Sequence, residues 1–308
     1  MSEPHEIQHE FVYANGLRFH VATCGEGDKL ALLLHGFPEL WYSWRHQMPL
    51  LASLGYKVWA PDLRGYGRTD KPDRAADYAI ETLMDDVAGL IDAAKPSETL
   101  LVAHDWGGII ATWFATHRIR PIDRFVLMNI PHPAAAAKRA GWRQRLRSWY
   151  ALFFQVPGAP EAMLRKRIDR MFQQTSRRAG AFSDADVAVY QENVAQPGVA
   201  KAMVDYYRAL VRGGGFKRMN ARGYPPIECP SLMLWGTEDI ALGVELTLAT
   251  RDYIPDLTLR YLPGVGHWVQ QEAPDEVNAM LEAWLTGKDV PQAPGAEAFL
   301  KTLPGRSA

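Results

Sequence analysis

Cysteine is scarce in this sequence of 308 residues, which contains only Cys24 and Cys229. Two cysteines this far apart form neither the framework of a small disulfide-rich secreted protein nor the closely spaced pairs that bind zinc. We therefore expect two buried thiols without a disulfide, a reducing compartment, and no metal or organic cofactor.

The sequence also lacks an excess of charge and any long apolar run. Its 34 Lys and Arg residues against 35 Asp and Glu residues give a formal net charge of -1, so no overall basic field attracts nucleic acid or an anionic membrane. No stretch approaches the ~18 apolar residues of a spanning helix, and residues 1–10 do not resemble a signal peptide. We expect a soluble, cytoplasmic protein that acts on a neutral small molecule, without a nucleic-acid or membrane partner; its oligomeric state stays open.

Apolar runs bounded by turn residues alternate with helical patterns along most of the chain. Residues 10–13 and 17–23 read as two strands joined by Ala14-Asn15-Gly16, a strong hairpin signal. The later runs cover residues 30–34, 57–60, 99–103, 124–128, 231–235 and 258–261, with helical patterns at 80–94 and 106–117. This alternation predicts an α/β protein with a doubly wound, mostly parallel sheet.

The alternation stops between residues 133 and 224, where helix formers, arginines and aromatics replace the strand pattern. We interpret this segment as a helical cap inserted into a core made of residues 1–132 and 225–308. The basic stretch 138–147 within it is interpreted as a solvated helix face. Residues 286–308 are rich in proline and glycine, which predicts a loosely packed C-terminal extension.

The run 99–103 leads into His104-Asp105-Trp106-Gly107-Gly108 and then a helical pattern. A strand, a sharp turn with small residues and a helix form the setting of a nucleophile elbow, here carrying Asp105 instead of serine. A carboxylate that attacks a carbonyl yields an unfavourable anhydride, whereas attack on a saturated carbon yields an ester that water can cleave. The alternative interpretation of Asp105 is a helix N-cap.

An acid and a histidine follow the last two strand runs, at the strand ends where open α/β sheets bind ligands. Asp239 and His267 come after Asp105 in the chain order of the α/β-hydrolase triad. Glu238 competes with Asp239 as the acid, and spacing alone does not separate the two. His267 alone also has a structural interpretation, as a packed histidine beside aromatics.

The turn His35-Gly36-Phe37-Pro38 follows the run 30–34. Gly36 allows close approach of the backbone, and a cis bond before Pro38 would direct the Phe37 N–H into the site. With the N–H of Trp106, this would form an oxyanion hole. The alternative is an ordinary connection between a strand and a helix.

Across residues 10–285 the chain resembles the epoxide hydrolases of the α/β-hydrolase fold. The resemblance rests on the motifs His35-Gly36-Phe37-Pro38, Asp62-Leu63-Arg64-Gly65-Tyr66-Gly67, His104-Asp105-Trp106-Gly107-Gly108 and Gly266-His267-Trp268. It implies conversion of epoxides to vicinal diols through an ester on Asp105, without a cofactor. It also places His35, Pro38, His104 and Trp268 around the pocket.

The resemblance further implies two cap tyrosines that hold the epoxide oxygen. They match Tyr150 and Tyr207, with Tyr206 as the neighbour most easily confused with the second. An acid of pKa near 10 stays protonated at neutral pH and can donate to an alkoxide. The alternative is that these aromatic side chains only pack.

Two other functions remain as alternatives. Haloalkane dehalogenases share the fold and the aspartate nucleophile, and Trp106 would suit one of their two hydrogen-bond donors to the halide. Phe37, however, stands where many of them carry asparagine, which weakens this alternative. Fluoroacetate dehalogenases carry arginines on the helix after the nucleophile, which begins here with Ile109. A non-catalytic binding protein on this fold is less well supported, because both Asp239 and His267 are present.

Overall fold

A computed structural model describes residues 6–303 and shows an eight-stranded sheet with the order β1-β2-β4-β3-β5-β6-β7-β8. The strands are β1 (Gln8–Ala14), β2 (Leu17–Cys24), β3 (Lys29–Leu34), β4 (Tyr56–Pro61), β5 (Glu98–His104), β6 (Arg124–Met128), β7 (Ser231–Gly236) and β8 (Leu257–Leu262). β2 pairs antiparallel with β1 and β4, and all other pairs are parallel. The predicted fold class and all eight predicted strands are confirmed.

The opening hairpin turns at Asn15 and Gly16, whose φ angles are +44° and +73°. Positive φ at both positions gives the turn type whose twist matches that of the strands. The hairpin places an antiparallel edge on a sheet that is otherwise parallel, because β2 also pairs with β4.

Helices cover both faces of the sheet and fill the region between β6 and β7. They are α1 (Met48–Ser53), α2 (Ile80–Ala94), α3 (Asp105–Thr116), α4 (Pro133–Arg139), α5 (Trp142–Arg147), α6 (Trp149–Phe153), α7 (Ala159–Thr175), α8 (Asp184–Ala195), α9 (Val199–Val211), α10 (Gly215–Arg222), α11 (Val269–Glu272), α12 (Pro274–Leu285) and α13 (Ala296–Leu300). The predicted helix at 80–94 is confirmed, and the one predicted at 106–117 spans 105–116.

The central strands are buried on both faces, as their continuous apolar runs predict. In β3, Leu30, Leu32 and Leu34 belong to the core beneath α2 and α3. Ala31 and Leu33 point into the opposite core, against α1 and α12. Successive side chains of a strand alternate between faces, so a strand covered on both sides is apolar at every position.

The segment between β6 and β7 is helical, from α4 to α10, and no strand occurs between residues 129 and 230. Tyr206 of α9 anchors it on the sheet domain, because its ring lies within 5.5 Å of those of Tyr66, Tyr78 and Trp106. The domain boundaries at 132/133 and 224/225 remain a prediction.

The C-terminal extension is mostly exposed in its described part, residues 286–303, but it contains α13, and Ala296 and Leu303 are buried. The rings of Phe299 and Tyr261 lie 5.3 Å apart. Loose packing of the extension stays a prediction, and residues 304–308 lie outside the described range. The expectation of two buried thiols is wrong for Cys229, which is partly exposed; Cys24 is buried, and neither forms a disulfide. Within residues 6–303, no helix has the length and apolar character to cross a membrane.

Candidate active site

Asp105 stands on a sharp turn between β5 and α3. Its φ angle is +47°, a left-handed conformation that costs a non-glycine residue about 1–3 kcal/mol and is typical of functional sites. Two glycines permit the turn: a Cβ on Gly107 would lie 2.3 Å from the Leu34 carbonyl oxygen, and one on Gly108 would lie 2.2 Å from Ile130. The N-cap interpretation is wrong, because His104 occupies the cap position and Asp105 is the first helical residue.

The Asp105 carboxylate contacts two of the groups singled out in the sequence. Its Oδ1 accepts a hydrogen bond of 2.7 Å from the Phe37 N–H, and its Oδ2 lies 3.6 Å from His267 Nε2. Gly36 makes this approach possible, since a Cβ there would lie 2.4 Å from the Asp105 Cβ. Asp105, His267 and one expected oxyanion donor therefore meet at one point.

Asp239, and not Glu238, faces the histidine. His267 Nδ1 lies 2.7 Å from Asp239 Oδ2. The N–H groups of Ala241 and Leu242 donate to Asp239 Oδ1 at 2.7 and 2.9 Å, which fixes the carboxylate. Glu238 is exposed and lies 3.9 Å from an arginine on the protein surface.

The two carboxylates decide the protonation of the histidine. Burial alone would lower the pKa of His267, but the charges of Asp239 and Asp105, and hydrogen bonds to both, raise it well above its usual value. Burial would raise the pKa of each carboxyl, but His267 holds both of them below the usual range. The two carboxylates therefore favour the imidazolium form of His267 in the resting site.

The turn after β3 supplies the Phe37 N–H. The Phe37–Pro38 bond is cis, and the His35 ring lies behind the turn. His35 Nδ1–H donates to the Gly36 carbonyl at 2.9 Å, and His35 Nε2 accepts from the Leu63 N–H at 3.0 Å. Because its burial lowers its pKa, His35 stays neutral and holds the turn. His35 and Pro38 are buried beside the site but do not line the cavity.

The Trp106 N–H belongs to the first turn of α3, where backbone N–H groups have no partner within the helix. It therefore remains available beside the elbow, as expected for a second oxyanion donor. The Trp106 ring is 2% exposed and packs edge-on against Tyr207, with the ring centroids 5.0 Å apart.

His104 and Trp268 both pack against His267, with ring centroids 4.8 Å from it. His104 Nε2 lies 2.9 Å from the His267 carbonyl oxygen, and its Nδ1 lies 2.7 Å from the fully buried Glu39. Trp268 lines the cavity, and its indole N–H donates to Thr175 Oγ1 at 2.8 Å. Of the four expected support residues, only Trp268 therefore reaches the cavity wall.

The two expected tyrosines line the same cavity, with ring centroids 6.1 Å apart. Burial and the charge of Asp105 raise the pKa of both Tyr150 and Tyr207, so both hydroxyls remain protonated at neutral pH. Tyr206 faces the other way: its hydroxyl donates to the Arg64 carbonyl oxygen at 2.8 Å. The structure thus separates Tyr207 from its neighbour.

A mostly apolar cavity of about 550 Å³ opens above Asp105. Its walls come from the sheet domain and from the helical segment between β6 and β7. They are formed by Phe37, Asp105, Leu146, Arg147, Trp149, Tyr150, Phe153, Phe154, Met163, Met171, Thr175, Tyr207, Ile240, Ala241, His267 and Trp268. Such a cavity suits an apolar small molecule with one polar group near Asp105. No cluster of three potential metal ligands occurs in the described part of the chain.

Sequence reasoning missed Asn129 and Glu39. Asn129 follows β6 directly, and its amide donates to Asp239 Oδ2 at 2.9 Å. Its position at the carboxyl end of a strand was the available signal. Glu39 accepts from the Gly36 N–H at 2.8 Å and contacts His104. Its partner lies 65 positions away, and no local pattern points to that contact.

Comparisons with known proteins agree with this geometry. A family model of the α/β hydrolase fold matches residues 31–274. The AB hydrolase superfamily protein YfhM of Bacillus subtilis is 37% identical over 286 residues, which cover 91% of this chain and 98% of the relative. Epoxide hydrolase 4 of Mus musculus is 35% identical over 283 residues, covering 88% of this chain and 77% of the relative.

Solved structures give the same result. The crystal structure of an epoxide hydrolase from Vigna radiata superposes with a TM-score of 0.79 at 30% identity, covering 92% of this chain and 98% of that one. Potato epoxide hydrolase I superposes with a TM-score of 0.80 at 28% identity, covering 92% and 100%. The chain therefore belongs to the α/β-hydrolase fold family and, within it, to the epoxide hydrolases.

Proposed function

We propose that this protein converts apolar epoxides to vicinal diols through a covalent ester on Asp105. The observation that carries the proposal is the placement of an aspartate on the elbow, 3.6 Å from His267, beneath a cavity lined by two tyrosines. A carboxylate nucleophile suits a saturated carbon, because the product is an ester and not an anhydride.

In the first step, Asp105 Oδ2 attacks a ring carbon and the bond from that carbon to the epoxide oxygen breaks. The electron pair stays on the oxygen, which becomes an alkoxide. Tyr150 and Tyr207 donate hydrogen bonds to it, and one of them transfers its proton. Their raised pKa values keep both hydroxyls protonated until the stronger base appears. The resulting tyrosinate regains its proton from water.

Formation of the ester prepares His267 for the second step. The ester carries no charge, so His267 loses one of the two carboxylates that raise its pKa. Its pKa therefore falls, the imidazolium releases its proton, and the neutral ring becomes a base. The pair with Asp239 keeps Nε2 directed at the ester.

In the second step, His267 Nε2 accepts a proton from water as the water oxygen attacks the ester carbonyl carbon. The N–H groups of Phe37 and Trp106 stabilise the resulting oxyanion. Collapse of this intermediate breaks the bond between the Asp105 carbonyl carbon and the diol oxygen. The diol oxygen takes the proton from His267, and the new Asp105 carboxyl group then passes its remaining proton to the neutral His267. This restores the carboxylate and the imidazolium of the resting site.

We infer that the helical segment 133–224 acts as a cap. It contributes Tyr150, Tyr207 and most of the apolar wall of the cavity. In-line opening of the ring requires a proton donor on the side away from the nucleophile, and the tyrosine hydroxyls among the cavity-lining residues of the described chain all belong to this segment. Closure over the substrate also limits the access of water.

The test is to trap the ester. His267→Gln should still form the ester but should not hydrolyse it, so intact-protein mass spectrometry should show an adduct of the epoxide's mass. Asp105→Ala, treated in the same way, should show none. Absence of an adduct with styrene oxide and with aliphatic epoxides would contradict the covalent route. Faster release of bromide from 1-bromobutane than hydrolysis of any epoxide would assign the site to haloalkanes.

A further inference from the structure

Exposed apolar side chains are concentrated in one stretch of the helical segment, and two of them also line the cavity. Ten large hydrophobic side chains are exposed in the described chain, and half of them lie in a stretch of fifteen residues. We call these five the entrance surface: Trp142, Leu146, Trp149, Leu152 and Val156. Trp142 and Leu146 are four positions apart in α5, which places them on one side of that helix, and Trp149 begins α6.

The same stretch is strongly basic. Five cationic side chains, all exposed, accompany it: Lys138, Arg139, Arg143, Arg145 and Arg147. No acidic residue occurs from 133 to 160. Arg139, Arg143 and Arg145 form no ion pair within residues 6–303. The Arg143 guanidinium lies 5.4 Å from the centre of the Trp142 ring. The solvated basic face expected from the sequence therefore also carries large apolar side chains.

We propose that the entrance surface binds an anionic phospholipid membrane, so that apolar epoxides pass from the lipid into the cavity. Tryptophan favours the boundary between lipid and water, and arginine can bury its stem while its head pairs with a phosphate. Helices that lie in this boundary combine an apolar side with basic residues. Leu146 and Trp149 belong to both the surface and the cavity wall, so the two are continuous.

Charge argues against a second copy of the chain as the occupant. A twofold dimer through this surface would place it against itself. Lys138 and Arg147 already pair with Asp252 and Glu245, but the three arginines without an ion pair in the described chain would face the same three arginines of the other copy. A membrane with anionic lipids supplies the complementary charge. This inference concerns binding alone and does not depend on the proposed chemistry.

Vesicle sedimentation tests the proposal. The wild-type protein should sediment with vesicles of equal parts phosphatidylcholine and phosphatidylglycerol, less at high salt, and not with phosphatidylcholine alone. Arg143→Glu/Arg145→Glu and Trp142→Ser/Leu152→Ser should each weaken binding by roughly tenfold or more. Neither pair lines the cavity, so turnover of a water-soluble epoxide should be unchanged.

Matched controls use exposed residues elsewhere. Lys288→Glu/Lys301→Glu makes the same change of charge, and Tyr13→Ser removes an aromatic side chain that is 77% exposed. Both should bind vesicles like the wild type. The proposal is overturned if the wild type does not bind anionic vesicles, or if the controls weaken binding as much as the surface variants. It is also overturned if the Trp142→Ser/Leu152→Ser change dissociates a dimer while vesicle binding is absent.

A separate observation concerns Glu272, which is 3% exposed and bridges the cap segment and the catalytic loop. Its Oε2 accepts from the Gly266 N–H at 3.0 Å and from the Arg177 N–H at 2.7 Å. Its Oε1 accepts from the Trp268 N–H at 3.1 Å. The carboxylate therefore holds the N–H groups of both residues that flank His267, together with the chain that follows α7.

The geometry points to Glu272 as a positioning residue for His267. This inference rests on the proposed function. Glutamine at this position would direct an amide N–H₂ at backbone donors and lose at least one of the three bonds. The histidine would then be held less firmly over the ester. Attack by Asp105 precedes the use of His267 as a base, so the first step should change less than the second.

Single-turnover kinetics separate positioning from mere stability. Glu272→Gln should lower the rate constant for ester hydrolysis about tenfold or more and change that for alkylation by less than about threefold. Glu276→Gln is the control. Glu276 forms an ion pair of 2.7 Å with Arg178, the residue after Arg177, but forms no hydrogen bond with the residues that flank His267 in the described structure. It should change neither rate constant appreciably.

A structural role alone predicts a different result, namely a smaller active fraction with unchanged rate constants. That result, or equal effects on both steps, would contradict the inference. Glu272→Asp, whose shorter side chain cannot reach all three donors, repeats the test if the glutamine variant folds poorly. If the wild type forms no ester at all, the proposed function fails first, and the two failures are thus distinguishable.

Discussion

Tyr206 and Tyr207 are adjacent in α9, yet removal of their hydroxyls should affect different properties. Loss of the Tyr207 hydroxyl should lower the rate of alkylation, and loss of the Tyr206 hydroxyl should lower the stability of the fold. Tyr207 lines the cavity near Asp105, whereas the Tyr206 hydroxyl donates to the Arg64 carbonyl oxygen in the core. Tyr→Phe at either position deletes one oxygen atom and nothing else. The pair therefore separates a chemical role from a structural one with matched substitutions.

The expected magnitudes follow from these surroundings. Loss of one preorganised donor to a developing oxyanion lowers a rate by roughly 10²–10³, so Tyr207→Phe should slow alkylation about a hundredfold while Tyr150 still donates. Tyr206 is fully buried, and an unpaired buried group costs about 1–3 kcal/mol. At about 2–4 °C per kcal/mol for a large domain, Tyr206→Phe should lower the Tm by several degrees.

Two measurements on each variant decide the outcome. Stopped-flow single turnovers give the alkylation rate constant, and thermal unfolding gives the Tm. Tyr206→Phe should keep its alkylation rate within a few-fold of the wild type, and Tyr207→Phe should keep its Tm within a few degrees. The double variant Tyr150→Phe/Tyr207→Phe should fold and open almost no epoxide. Slower alkylation in Tyr206→Phe than in Tyr207→Phe would refute the assignment of the donors, as would rapid ring opening by the double variant.

Three further outcomes are expected. Asp239→Asn should slow hydrolysis of the ester by roughly 10³ or more because His267 loses its orienting carboxylate, while Glu238→Gln should change it little; the reverse order would reassign the acid. Asn129→Ala should reduce stability by about 1–3 kcal/mol in chemical denaturation, since the buried Asp239 loses a donor. Asp105→Asn, which mimics the uncharged ester, should lower the pKa of His267 in an NMR titration. Hydrolysis of the ester should accordingly require a higher pH than alkylation. An unchanged pKa would contradict the proposed loss of the His267 proton on ester formation.

The strands and the main site residues could be predicted from sequence because their signals are local. A strand buried on both faces is apolar at each position, and a nucleophile elbow needs small residues next to the turn. The choice between Asp239 and Glu238 was not local, because either side chain can follow β7; the turn at Ala241 and Leu242 fixes only Asp239.

Other features depend on contacts between distant parts of the chain. Glu39 gains its role from His104, and Asn129 from Asp239, 110 positions later. In the C-terminal extension, proline and glycine indicate loose packing, and composition gives no signal for the contact that α13 makes with β8 through residues around the buried Ala296.

β6 and β7, which flank the long helical segment, are hydrogen-bonded neighbours in the sheet. The chain therefore leaves the sheet and returns to it at nearly the same place, although about a hundred residues intervene. An insertion with adjacent ends disturbs neither the strand order nor the turns that carry Asp105 and His267. The cavity wall that this segment contributes is in this sense a separate unit: a different helical segment between the same two strands would adjoin the same Asp105 and His267 and enclose a cavity of different shape.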